Sequence, residues 1–166
     1  LITFFLMMMG DLRQPNLYLS LFFKNNRQEY YSRLGAVRTA GDWEGWLDFF
    51  LHGVAETSNQ VVATSQAISA LFKADNDKIA TLKRAGITAR QAHAQLQKVA
   101  ISNAINMAAA LDVSVPTARL ALNNLKELGV VKDISGSGKE RLYIYTALID
   151  LLEQGAEPIA LGKEAV

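Results

Sequence analysis

The chain has 166 residues, enough for one ordinary domain or two small ones, and half of them are hydrophobic, so it can bury a core. Seventeen Lys and Arg against sixteen Asp and Glu leave a formal charge of +1, which is not the strongly basic balance common in nucleic-acid-binding domains. The absence of cysteine excludes disulfides, thiolate nucleophiles and Cys-based metal sites, and it fits a cytoplasmic protein.

The apolar run Leu1 to Met9 is too short to span a bilayer and lacks the basic flank of a signal peptide. It reads as the end of a buried helix closed by Gly10. A chain that opens inside such a helix implies further sequence upstream. Gln14-Pro15-Asn16 is a turn, and Leu17 to Lys24 is a short helix or extended piece. Asn25 or Asn26 is a candidate N-cap for a helix reaching about Val37, with Tyr30, Leu34 and Val37 on one face. Gly41 breaks the chain and Asp42 caps the next helix. There Trp43, Trp46, Leu47, Phe50 and Val54 recur at helical spacing, with the two tryptophans as expected core anchors.

From Thr57 to about Arg84 the residues Val61, Ile68, Phe72, Ile79 and Leu82 keep a helical period, with a candidate interruption at Asp75 and Asn76. Gly86 ends that run. Thr88 and Gln91 have the spacing of a capping box, for a helix reaching about Lys98. A domain boundary near Gly86 divides residues 1–86 from 87–166.

Beyond it, Ser102 to Leu111 reads as a short Ala-rich helix, Asp112-Val113-Ser114 as a tight turn, and Pro116 to Leu128 as a second helix closed by Gly129. Ala118, Leu122 and Leu125 form one inward stripe. A β signal follows: Val130, Val131 and Ile134, a flexible tip Ser135-Gly136-Ser137-Gly138, then an alternating stretch from Glu140 to Tyr145. Helix, turn, helix and Gly-tipped hairpin is the order of a winged helix-turn-helix. Such a unit commonly sets its second helix in a DNA major groove. The candidate contacts are Ser114, Thr117, Arg119, Asn123 and Asn124 on that helix, and Lys139 and Arg141 on the wing. From Val99 to Tyr145 there are five basic and four acidic residues, a weak field for phosphates. The same face therefore also suits dimerisation or a protein partner.

Gln14-Pro15-Asn16-Leu17-Tyr18-Leu19-Ser20 resembles the QPLLYLS segment of bacterial Fic (filamentation induced by cAMP) proteins. Phe22 to Tyr31 is similar to their Y-F-K-x-N-R-x-E-Y-Y segment, and Gly41 to Leu51 to G-D-W-E-x-W-L-x-F-F-L, followed by Gly53-Val54-Ala55-Glu56-Thr57. The resemblance implies a mainly α fold: a truncated all-helical Fic domain followed by a winged helix-turn-helix with a small β-hairpin wing. It implies a parent that transfers AMP from ATP, with Mg, to a hydroxyl side chain of a target protein. The family's His-Pro-Phe-x-x-Gly-Asn-Gly-Arg loop does not occur among these residues, and the two histidines, His52 and His93, lie in other contexts. No catalytic residue and no metal site is therefore expected here, nor tight binding of ATP to this stretch alone. Asn26 matches the family's Asn at the nucleotide and is the cofactor-binding candidate that the resemblance implies. The alternative is a winged-helix DNA-binding transcriptional regulator, cytoplasmic and without membrane contact, whose helical half mediates homodimerisation.

Overall fold

The computed structural model describes residues 8–10, 19–135 and 141–154. These are mainly α-helical, with one small three-stranded antiparallel sheet, and they fall into two compact units that divide between Ser65 and Gln66. Among them no helix is long and apolar enough to cross a membrane. Gly10 has φ +82°, the left-handed conformation suited to closing a helix. The rest of the expected opening helix, residues 1–7, and the Gln14–Asn16 turn lie outside the described residues.

The first unit is built from α1 (Leu19–Asn25), α2 (Arg27–Ala40) and the first part of α3 (Trp43–Ala80). Gly41, at φ 70°, closes α2, and Asp42 caps α3 by accepting from the Gly45 N–H at 3.0 Å. The core face of α3 is Trp46, Phe49, Phe50, Gly53 and Thr57. Phe49 packs against Phe22 of α1 with ring centroids 5.3 Å apart and the planes tilted by 41°, and both are buried. A Cβ at Gly53 would stand 2.5 Å from the Phe22 ring, so the close approach of α1 to α3 requires glycine there. Trp43 is 62% exposed and is not the core anchor expected of it; Phe49 holds that place. Trp43, Trp46, Leu47, Phe49, Phe50 and Leu51 are apolar over a wide arc. The pattern therefore allows several choices of buried face, and α1 selects one.

The second unit takes the rest of α3, a 3-10 turn at Lys83–Ala85, α4 (Gly86–Val99), β1 (Ile101–Asn103), α5 (Ala104–Leu111), α6 (Val115–Glu127), β2 (Lys132–Asp133), β3 (Leu142–Ile144) and α7 (Thr146–Gln154). The sheet order is β1-β3-β2. Ile101 pairs with Ile144, Ser102 with Tyr143 and Asn103 with Leu142, while Lys132 and Asp133 pair with Ile144 and Tyr143. Ile79, Leu96, Met107, Leu122, Leu125, Tyr143 and Tyr145 are fully buried, each worth about 1.5–3 kcal/mol.

Several local expectations are corrected. α3 runs through Asp75 and Asn76 without a break; the Tyr145 hydroxyl satisfies Asp75, and Asn76 lies against His93. α4 starts at Gly86 with no side-chain cap, which leaves Thr88 inside the first turn and forms no capping box. Ser102 is in a strand. The helix begins at Ala104, capped by Asn103 Oδ1, which accepts from the Asn106 N–H at 2.7 Å. Val130 and Val131 are buried but precede β2, and Ile134 is exposed.

Candidate nucleic-acid interface and a second polar cleft

Two helices cross tightly at the α5–α6 turn because small residues meet there. Asp112, at φ 53° and ψ 49°, takes the left-handed conformation that closes α5. Ser114 caps α6: its Oγ accepts from the Thr117 N–H at 3.3 Å and lies 2.8 Å from the Thr117 hydroxyl. Pro116 occupies the first turn, where its missing N–H costs nothing. Ala118, Leu122 and Leu125 are buried as expected, which turns Pro116, Thr117, Arg119, Leu120, Lys126 and Glu127 to solvent.

The predicted contact residues divide. Thr117 and Arg119 are exposed on the N-terminal half of α6, beside Ser114, whose hydroxyl is already used as the cap. Asn123 and Asn124 are half-buried, and Asn123 Oδ1 accepts from the Tyr143 hydroxyl at 2.7 Å. Arg141 is exposed and its Nε lies 3.9 Å from Asp133 Oδ2; Lys126 Nζ approaches the same oxygen at 3.4 Å. The Ser135 hydroxyl, and then the Ser135 N–H, donate to Asp133 and hold its carboxyl below the usual range, so this anion persists beside the two cations. Lys139 lies outside the described residues.

Leu120 was not among the sequence candidates. It is 59% exposed. Pro116, Leu120 and Glu127 follow at i, i+4 and i+11, opposite the buried stripe and all exposed, so a helical projection alone would have found it. An apolar side chain there suits a thymine methyl group.

Asn26 belongs to the first unit. It does not cap α2, because no side-chain cap bond forms. Its Nδ2 instead donates to the Phe22 carbonyl at 3.0 Å, and the residue is buried. The backbone explains this: Asn26 N–H also bonds Phe22 O, so the residue continues α1 as a turn and points its amide backward. Asn26 lines a shallow cleft of about 570 Å³ with Asn25, Gln28, Glu29, Ser32 and Arg33. Arg33 is paired with Glu29 at 3.1 Å.

His52 is on the surface of the first unit, 3.4 Å from Glu56. His93 is fully buried in the second, among Phe72, Asn76, Gln97 and Tyr145. Neither lies beside a nucleophile or a phosphate-binding loop among the described residues, and no cluster there could hold a metal ion. No protein-family model matches the chain.

Proposed function

We propose that the second unit is a winged helix-turn-helix that docks α6 in the major groove of DNA, and that the chain is a DNA-binding regulator whose helical first unit mediates homodimerisation. The observation that carries this is the element order α4-β1-α5-turn-α6-β2-β3, with sheet order β1-β3-β2 and a polar N-terminal half on α6. In that arrangement the first helix braces the second, and the β2–β3 hairpin is the wing. Arg119 suits a guanine edge, Asn123 a purine, Thr117 a phosphate or base, and Leu120 a thymine methyl. Lys139 would meet the backbone from the wing, where Arg141 is available to it only to the extent that Asp133 does not hold it.

The test is a gel shift against random duplexes at low salt. Retardation at micromolar protein is expected, because even non-specific binders bind measurably when salt is low. Arg119→Ala should then weaken the best-bound sequence by about 1–3 kcal/mol if Arg119 pairs with guanine. No shift at all sinks the proposal. Loss of self-association without any DNA phenotype, read by light scattering on the same variants, would assign α6 to a protein partner instead.

The Asn26 cleft favours a second reading, the C-terminal portion of a Fic-family protein adenylyltransferase. There the cleft is part of the wall of an ATP site, and the target is a protein hydroxyl. The catalytic base and phosphate loop would come from sequence outside these residues. The chain alone should transfer no AMP from labelled ATP. In a protein carrying the loop, Asn26→Ala should weaken ATP binding in calorimetry, and unchanged affinity with only a lower melting temperature would reduce Asn26 to a structural residue.

A further inference from the structure

Resting on the DNA-binding reading, we propose that Tyr143 is a positioning residue that restricts Asn123 to donating hydrogen bonds, so that Asn123 selects guanine rather than adenine. β3 alternates, and its inward face carries Tyr143, which is fully buried. A buried phenol needs a partner, and its only one among the described residues is Asn123 Oδ1, at 2.7 Å. This is the hydrogen bond of the Asn123 side chain among the described residues. The bond anchors the oxygen end of the amide on the sheet side of α6. The nitrogen end, with two N–H donors, is what remains for a groove.

Asparagine ordinarily reads adenine with both ends, accepting from N6 and donating to N7. The oxygen keeps a second lone pair, but the Tyr143 bond turns it toward β3, so the nitrogen with its two donors is the end that faces the groove. Guanine presents two acceptors side by side, N7 and O6, whereas adenine presents one acceptor next to a donor. A donor-only amide therefore favours guanine and rejects cytosine, whose exposed group is itself a donor.

The experiment selects bound sequences from a random duplex pool with wild-type protein, Asn123→Ala, Tyr143→Phe and Asn123→Asp. The position that Asn123 reads is the one whose preference disappears in Asn123→Ala. Wild type should prefer guanine there. Tyr143→Phe frees the amide oxygen and should shift the preference toward adenine by about fivefold or more. Asn123→Asp keeps an acceptor for Tyr143 but exchanges the donors for an acceptor, so it should turn the preference to cytosine. This second variant serves if Tyr143→Phe proves too unstable to purify. Adenine preference in wild type, no position lost in Asn123→Ala, or an Asn123→Asp selection that stays on guanine would each overturn the proposal. Failure of the wild type to bind any duplex would overturn the DNA-binding reading itself.

Discussion

Asp75 is 2% exposed, and its two carboxylate oxygens accept from Lys78 Nζ and from the Tyr145 hydroxyl, both at 2.6 Å. Burial, and then the neighbouring Asp75, push the Tyr145 phenol well above its usual range, so it stays a neutral donor. With its proton given to Asp75, the Tyr145 oxygen is left to accept from His93, 3.2 Å away. The neutral His93 ring then carries its proton on Nε2, and Nδ1 accepts from Gln97 Nε2 at 3.3 Å. Tyr145→Phe would strand both a buried carboxylate oxygen and a ring N–H. It should lower the unfolding free energy by about 2–3 kcal/mol in urea titration. His93 also sets a pH dependence. Burial lowers its pKa below 6.5, and the Asp75 charge offsets this only in part. Between that lowered value and 6.5 the unfolded chain binds more protons than the folded one. Stability contributed by neutral His93 is thus fully present above pH 6.5 and lost as pH falls through the window below it, with a slope of at most about 1.4 kcal/mol per pH unit. Denaturation curves at pH 7.5, 6.5 and 5.5 should show this slope, and His93→Gln should flatten it.

Elements whose identity is local could be read directly. The α5–α6 turn was legible because Ser114, Pro116 and Gly129 punctuate it and Ala118, Leu122 and Leu125 carry the helical period. β1 was not. Ile101-Ser102-Asn103 has no strand signature of its own and becomes one only by pairing with Leu142–Ile144. Asp75 and Asn76 have the look of a break because what they pack against, Tyr145 and His93, is distant in sequence. The same blindness hid the Tyr143 bond to Asn123, so the candidate site was legible as a list of exposed polar residues but not as a set of prior commitments. Glycine shows the limit well. Gly35 in α2 and Gly86 at the start of α4 look alike in sequence. A Cβ at Gly35 would meet nothing within 4 Å, whereas at Gly86 it would stand 2.9 Å from the Ile79 carbonyl oxygen. Gly35→Ala should therefore stabilise by about 0.5–1 kcal/mol through helix propensity. Gly86→Ala should destabilise by about 1–3 kcal/mol, because the α3–α4 junction must open to admit the methyl group. Thermal melts of the two variants should move in opposite directions.

At the scale of the whole molecule, a formal charge of +1 gives no general attraction to a polyanion, so any binding to DNA depends on a few placed cations. Among the described residues from α6 to β3, Lys126 and Arg141 converge on Asp133, whereas Arg119 and Lys132 form no ion pair. With Lys139 that leaves about three cations for phosphates, so the slope of log affinity against log salt should be shallow, about −3. Asp133 is the natural lever. Asp133→Asn keeps an oxygen for the Ser135 N–H, which donates to it at 3.0 Å, and so should preserve the local turn. It removes the anion that, among the described residues, faces both Lys126 and Arg141. Two further cations then become available to the backbone, and the slope should steepen by up to about 2 while low-salt affinity rises for every sequence alike. Fluorescence anisotropy with one labelled duplex over a salt series measures both quantities. An unchanged slope in Asp133→Asn would mean that Lys126 and Arg141 do not face the DNA, which would move the contact surface off the hairpin and onto the N-terminal half of α6.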